Sequence, residues 1–218
     1  YSVAAYDSTI AWGAIGDSSS AGKGFVWQWD GVSAYYEVAV FSPSGICTTT
    51  ACSMGTSTAM WGNYLVFGAR LDAGGEGSLL VYKRTNGVWA FQTRLTQSDG
   101  LTGNLGRSVA MHEDTIVGGG PQRNTLRGAA WVFVRDPNTD TWAQQGSILI
   151  PTGTVEFGSQ LRCGIAVSVF SHWLAVGCSN HLSSIGGVVM YNRTGTTWTQ
   201  RQILIGSNPD TSLGTSIN

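Results

Sequence analysis

Apolar positions in this chain come in short runs that never keep a helical period. Four of these runs end on glycine: TIAWG on Gly13, YLVFG on Gly68, TIVGG on Gly119 and WLAVG on Gly177. Eleven residues upstream of each glycine stands a small residue (Ser2, Ser57, Ser108, Ala166), which opens SVAAY, STAMW, SVAMH and AVSVF. A second glycine set follows, Gly24, Gly77, Gly128 and Gly186, and five residues after each comes an aromatic: Trp29, Tyr82, Phe133 and Tyr191. Next come Trp89, Trp142 and Trp198, each followed six residues later by Leu95, Ile148 or Leu204; the first copy has Tyr35 or Tyr36 in place of the tryptophan. No run carries an apolar stripe at i, i+3, i+4, i+7 beyond one turn, so helices are not expected. Runs of four to eight residues rich in Val, Ile, Thr and aromatics, separated by Gly, Ser, Asn and Asp, predict strands.

The small-residue landmarks lie 55, 51 and 58 residues apart, and a further copy, Leu213-Gly214-Thr215-Ser216-Ile217, puts Ser216 50 residues after Ala166. A repeat of about 50 residues holding four strands has the form of a propeller blade. The expected fold is therefore all-β, a β-propeller of four four-stranded antiparallel blades over about 1–53, 54–104, 105–162 and 163–212, with 213–218 as the first strand of a further blade. In the second repeat the strands fall near 55–61, 64–69, 77–83 and 88–95, the first two joined by the tight-turn pair Gly62-Asn63. The chain opens and closes on the same kind of strand. It reads as part of a larger propeller or as an open arc, with a four-bladed ring carrying a spare strand as the third possibility. An open arc leaves apolar blade faces uncovered, and such faces drive association.

Composition narrows the partners. Charged residues make up 11% of the 218 residues and the net charge is −1, against a usual charged share of about 25%. That excludes an electrostatic footprint for nucleic acid. No stretch approaches the roughly 18 apolar residues of a membrane span, so no membrane insertion is expected. The chain begins at Tyr1, with no charged and apolar leader, and reads as a mature or excised segment. The four cysteines form two close pairs, Cys47/Cys52 and Cys163/Cys178, with no Cys-x-x-Cys and no histidine at a ligand-like offset. Disulfides, and hence an extracellular or cell-surface location, are expected over zinc.

The stretch from Trp89 to Arg135 carries a family likeness. It runs from a tryptophan strand through Ser98-Asp99-Gly100, Leu105-Gly106 and Ser108-Val109-Ala110 to an apolar run ending Gly119-Gly120, then Gly128 and the strand AAWVFVR. This order resembles the FG-GAP repeat, known from integrin α-subunit propellers and from bacterial and protist surface proteins; Leu105-Gly106 stands for Phe-Gly and Gly119-Gly120 for Gly-Ala. In the fourth copy Phe157-Gly158 competes for the Phe-Gly place, and Cys163-Gly164 is preferred because it keeps the eleven-residue spacing. Integrin-type repeats carry a calcium loop between the first two strands. Here those connections are two to four residues long, Asp7-Ser8, Gly62-Asn63, Glu113-Asp114 and Ser171-His172, too short for the six to eight oxygens calcium takes. In the fourth copy Cys163 and Cys178 flank the first two strands, so a cross-strand disulfide is expected if their Cα atoms lie within about 4.4–6.8 Å. Cys47–Cys52 would close the short loop between blades one and two.

Candidate chemistry is sparse. Asn192-Arg193-Thr194 is a glycosylation sequon, and Thr48, Thr49 and Thr50 offer O-glycan positions. Trp29, Trp89, Trp142 and Trp198 read as inter-blade core, with Trp12, Trp27, Trp61, Trp131 and Trp173 in strands. His112, His172 and His181 share no metal spacing, and His112 and His172 read as solvated turn residues. Neither Asp72/Glu76 nor Glu113/Asp114 sits beside a nucleophile motif, and no Gly-x-Ser-x-Gly or phosphate loop occurs. The sequence therefore predicts no catalytic residue, metal or cofactor. It predicts an extracellular module that contacts protein partners or copies of itself, in adhesion or in a surface or fibrous assembly. The alternatives are a glycan-binding propeller and a fragment of a propeller enzyme.

Overall fold

Two-residue turns are what make each sheet. Tyr6 and Thr9, Trp61 and Tyr64, His112 and Thr115, and Phe170 and Trp173 are paired across such turns. The first turn residue is left-handed each time: Asp7 (φ 52°), Gly62 (57°), Glu113 (51°) and Ser171 (55°). The computed structural model describes residues 1–17, 19–152, 161–179, 186–205 and 213–217. It contains four sheets of four antiparallel strands, each in simple sequential order. Blade one is β1 (Ser2–Tyr6), β2 (Thr9–Ala14), β3 (Lys23–Trp29) and β4 (Tyr35–Phe41). Blade two is β5 (Met54–Trp61), β6 (Tyr64–Ala69), β7 (Ser78–Thr85) and β8 (Val88–Leu95). Blade three is β9 (Ser108–His112), β10 (Thr115–Gly120), β11 (Ala129–Asp136) and β12 (Thr141–Gln144). Blade four is β13 (Cys163–Phe170), β14 (Trp173–Cys178), β15 (Gly187–Thr194) and β16 (Thr197–Ile205). The second-repeat strands fall where the apolar runs placed them, to within two residues.

The first strands β1, β5, β9 and β13 pack side by side in series, so the sheets radiate from a common inner edge. The cores lie between sheets. Ala11, Val26, Leu65, Phe67 and Tyr82 fill the first gap; Val66, Val81, Ile116, Trp131 and Phe133 the second; Val117, Val132, Val176, Val189 and Tyr191 the third. This is a propeller-like arrangement, and no strand of blade one pairs with a strand of blade four.

The register alters two landmarks. Gly22, Gly77, Gly128 and Gly186 each form a parallel bridge to the start of the next blade, at Met54, Leu105, Cys163 and Leu213. All four have positive φ, from 76° to 85°. The first member of the glycine set is therefore Gly22, not Gly24, which pairs with Gly13 as Leu79 pairs with Gly68. The matching aromatic is Trp27, opposite Ile10 as Tyr82 is opposite Leu65, rather than Trp29. The second-to-third connection of blade one is as long as the others, nine residues from Gly13 to Gly22 as from Gly68 to Gly77, so it was the count on Gly24 that broke the register.

Both cysteine pairs are bonded, and Cys163 faces Cys178 across β13 and β14. Their Cα atoms are 3.9 Å apart, closer than the expected window, and the strand register shifts between Cys163 and Ala166 beside them. Cys47 and Cys52 have Cα atoms 6.4 Å apart.

Candidate functional site

The joint between blades is built from backbone. A Cβ on Gly68 would lie 2.8 Å from the carbonyl carbon of Gly106, and one on Gly119 would lie 2.9 Å from that of Gly164. Gly13 meets Gly55, and Gly177 meets Gly214, in the same way. Hydroxyls then tie the joint. Ser2 Oγ donates to Gly55 O (2.8 Å), Ser57 Oγ to Gly106 O (2.9 Å) and Ser108 Oγ to Gly164 O (2.9 Å). At the fourth joint Ala166 has no hydroxyl to offer. The landmark serines thus act across blades. Ser57→Ala should cost about 1 kcal/mol, roughly 2–4 °C of melting temperature for a chain this size. An unchanged melting curve would show that water replaces the bond at no cost.

At the opposite end of each first strand the aromatics form a ladder. Tyr6 lies 5.2 Å from Trp61, Trp61 4.4 Å from His112, and His112 4.5 Å from Phe170, ring centre to ring centre. His112 is therefore buried between rings rather than solvated, and its Nδ1 accepts from the Ser171 amide at 3.3 Å. The turn placed its backbone at a strand end, but the neighbouring blades cover its ring.

A second inter-blade device lies further out. Arg84, Arg135 and Arg193 stand opposite Trp89, Trp142 and Trp198. Arg84 and Arg193 lie over those indole rings, 5.5 and 5.4 Å from their centres, and reach back to Thr9 and Thr115 of the preceding blade. Arg135 lies 4.9 Å from the centre of the Tyr64 ring. Sequence reasoning missed these arginines. The signal was an aromatic-x-Arg at Tyr82–Arg84, Phe133–Arg135 and Tyr191–Arg193.

Two carboxylates act as hubs. Asp140 accepts from Tyr64, from Lys83 Nζ (2.5 Å), from Arg135 Nη1 (3.1 Å) and from Gln92 Nε2 (3.0 Å), joining blades two and three. Burial opposes its charge, yet the bonds from Lys83, Tyr64 and Arg135 hold its carboxyl below the usual range. Burial and the Asp140 bond push the Tyr64 phenol up. Every member points at another member, so the cluster closes on itself as a clamp. Asp72 is fully buried and takes Arg94 Nε (2.6 Å), Ser78 Oγ (2.7 Å), Thr48 N (2.8 Å) and Thr48 Oγ1 (2.9 Å). It anchors the Cys47–Cys52 loop to blade two. The Thr48 and Thr49 hydroxyls are engaged there, Thr49 on Leu71 O.

Among the described residues, two blade faces have no blade against them. On blade one, Val3, Trp12, Phe25 and Val40 form one cross-strand row, and Ala5, Ile10 and Trp27 a second. The equivalent rows of blade two, Thr58–Phe67–Leu80 and Met60–Leu65–Tyr82, are covered by blade one. Val3 is 69% exposed and Val40 47% exposed. Trp12 stacks on Phe25 with ring centres 5.6 Å apart, and Trp27 tilts against Trp12 at 5.4 Å. Trp12 and Trp27 are thus half-covered surface, not inter-blade core. On blade four the rows Ala166–Gly177–Val188–Leu204 and Ser168–Ala175–Met190 face away from blade three. Leu213 and Gly214 lie along that edge.

The remaining expected sites are scattered. Trp89, Trp131 and Trp198 are buried, whereas Trp173 is 44% exposed. Asn192 sits near the end of β15, the third strand of its blade, and its Nδ2 donates to His172 O at 3.3 Å. Phe157, Gly158 and His181 lie outside the described residues. Among the described residues no three His, Cys, Asp or Glu side chains converge as a metal site, and no helix is long and apolar enough to cross a membrane. An outer groove of about 460 Å³ runs between blades three and four, lined by Gln145, Thr152, Tyr191, Trp198 and Gln200 among others. Burial pushes the Tyr191 phenol up, and its hydroxyl has no partner.

No family model matches the chain, and no curated protein does. Solved structures do resemble it. One is a candidate 6-phosphogluconolactonase from Bacteroides uniformis, at 12% identity and a TM-score of 0.58 over 88% of this chain. Another is Sqt1 from Saccharomyces cerevisiae, at 11% identity and a TM-score of 0.53 over 90% of this chain. The matches cover 51% and 45% of those chains, so this chain spans about half the length of each. At such identities the likeness speaks for the fold alone: an all-β, propeller-type arrangement of four antiparallel sheets.

Proposed function

We propose that the chain is a non-enzymatic propeller module that makes protein–protein contacts in an extracellular or cell-surface assembly, with repeats of the FG-GAP kind. The observation that carries this reading is the leading face of blade one. Its rows Val3–Trp12–Phe25–Val40 and Ala5–Ile10–Trp27 repeat the surface that blade two buries against its neighbour, yet no blade covers them. Contiguous exposed apolar surface of this kind marks an interaction site. The two disulfides fit an oxidising compartment. The first strands β1, β5, β9 and β13 contain no Asp or Glu, so the inner edge offers no carboxylate for acid–base work.

The test is the size of the particle. Light scattering across a concentration series should show species well above the 23.1 kDa of one chain. The pair Trp12→Glu and Phe25→Glu should return it to one chain with an unchanged circular dichroism spectrum. A wild type that stays a compact single chain at every concentration would overturn the reading.

A second reading, glycan binding, is favoured by the outer groove, where Tyr191 keeps a buried hydroxyl without a partner beside Trp198 and Gln200. A glycan array with no bound sugar would sink it.

A further inference from the structure

Seven of the twelve cations in this chain are matched by a carboxylate or an aromatic ring. Lys23 pairs with Asp17, Lys83 with Asp140, Arg94 with Asp72, Arg123 with Asp99 and Arg135 with Asp114. Arg84 and Arg193 lie over tryptophan rings. Arg70, Arg107 and Arg162 are three of the five that are not. Among the described residues none of them meets a carboxylate, and all three line one cavity of about 230 Å³ with Asn104, Gln122 and Ile165. Arg70 follows β6 of blade two, Arg107 precedes β9 of blade three, and Arg162 precedes β13 of blade four. Three blades thus deliver one arginine each to the same place.

The backbones beneath these side chains are fixed. Asn104 Nδ2 donates to Arg70 O at 2.8 Å. The Arg107 amide donates to Asn104 O at 3.0 Å and to Gly119 O at 3.2 Å. The Arg162 amide donates to Leu126 O at 2.8 Å, with Arg162 itself left-handed at φ 51°. Like charges brought together without a counter-ion repel, so this arrangement is stabilised by whatever anion enters it. The guanidinium fork matches tetrahedral oxyanions, which accept paired N–H bonds. The volume sets an upper bound on the ligand. At about 30 Å³ per water-sized group, the cavity has room for more than the five heavy atoms of a bare oxyanion.

We propose that Arg70, Arg107 and Arg162 form a binding site for a phosphate or sulfate monoester of a small compound. The site belongs to the loop end of blades two to four and is independent of the open face of blade one. Calorimetric titration with a hexose phosphate, the matching hexose sulfate and the neutral hexose separates the contributions. At least one ester should bind tenfold or more tighter than the neutral hexose, with affinity falling as salt rises, and the preferred ester names the source. Arg70→Gln, Arg107→Gln and Arg162→Gln together should weaken that ester tenfold or more. Arg162→Gln alone, at an exposed position, should weaken it measurably if the triple variant fails to fold. Equal binding of ester and neutral hexose, no binding of either ester at millimolar concentration, or unchanged affinity in the arginine variants would overturn the proposal.

Discussion

Gly119→Ala is expected to lower the melting temperature by roughly 6–12 °C, from a cost of about 3 kcal/mol at the upper end of overpacking. The added methyl would meet the Gly164 carbonyl on the facing blade and the Ser108 hydroxyl on its own, both fixed by the bond between them. A flexible side chain could swing away, but a backbone carbonyl held in a strand cannot. Gly119 has no left-handed φ, so the loss would come from the contact and not from local strain. Gly16→Ala is the control, since no atom lies within 4 Å of the added carbon and φ is ordinary there. Melting curves of the two variants within 2 °C of each other would mean that the blades are not in backbone contact.

Asp72→Ala should cost about 3–5 kcal/mol, because it strands a partly buried Arg94 and removes the acceptor of Ser78 and Thr48. Its pH dependence has a defined sign. Burial raises the Asp72 carboxyl, but the bonds from Ser78, Arg94 and Thr48 outweigh it and hold it below its ordinary value. A carboxyl lowered in the folded state contributes its stability in full above the unfolded value of about 3.9 and loses it as pH falls through the folded value. The gap in melting temperature between wild type and Asp72→Ala should therefore be constant from pH 7 to about 5 and shrink below about 4. A gap that widens on acidification would contradict the assignment of Asp72 as a charged anchor.

The sheets were legible in the sequence because each apolar run follows a two-residue turn and ends on a glycine that the next blade's backbone crowds. TIAWG, YLVFG, TIVGG and WLAVG each mark a second strand, and the two residues before each run became the tight turn. The cysteine pairs were legible for the same reason, since 163 and 178 bracket one hairpin. Gly24 was misread because it is an ordinary strand glycine two residues beyond the joint residue Gly22, which alone keeps the nine-residue spacing from Gly13 that Gly77, Gly128 and Gly186 keep from Gly68, Gly119 and Gly177. His112 was misread because its burial depends on Trp61 and Phe170, which lie 51 and 58 residues away in sequence. The open face of blade one was invisible at residue level. Trp12 and Trp27 have the same character as buried residues in the other blades, and only the lack of a neighbour makes them surface. The arginine cavity was hidden likewise, since Arg70, Arg107 and Arg162 occupy three different places in the repeat.

The glycine joints carry a mechanical consequence. Among the described residues the main contacts between strands of different blades run between neighbouring blades, so the molecule behaves as a one-dimensional array whose stability is a sum of units and couplings. Such an array loosens from its ends inward. Three of its couplings have a serine hydroxyl on the facing carbonyl, and the last, between Gly177 and Gly214, has Ala166 instead. Fraying under heat or force should start at that joint and stop at blade four, whose first two strands are locked together by Cys163–Cys178.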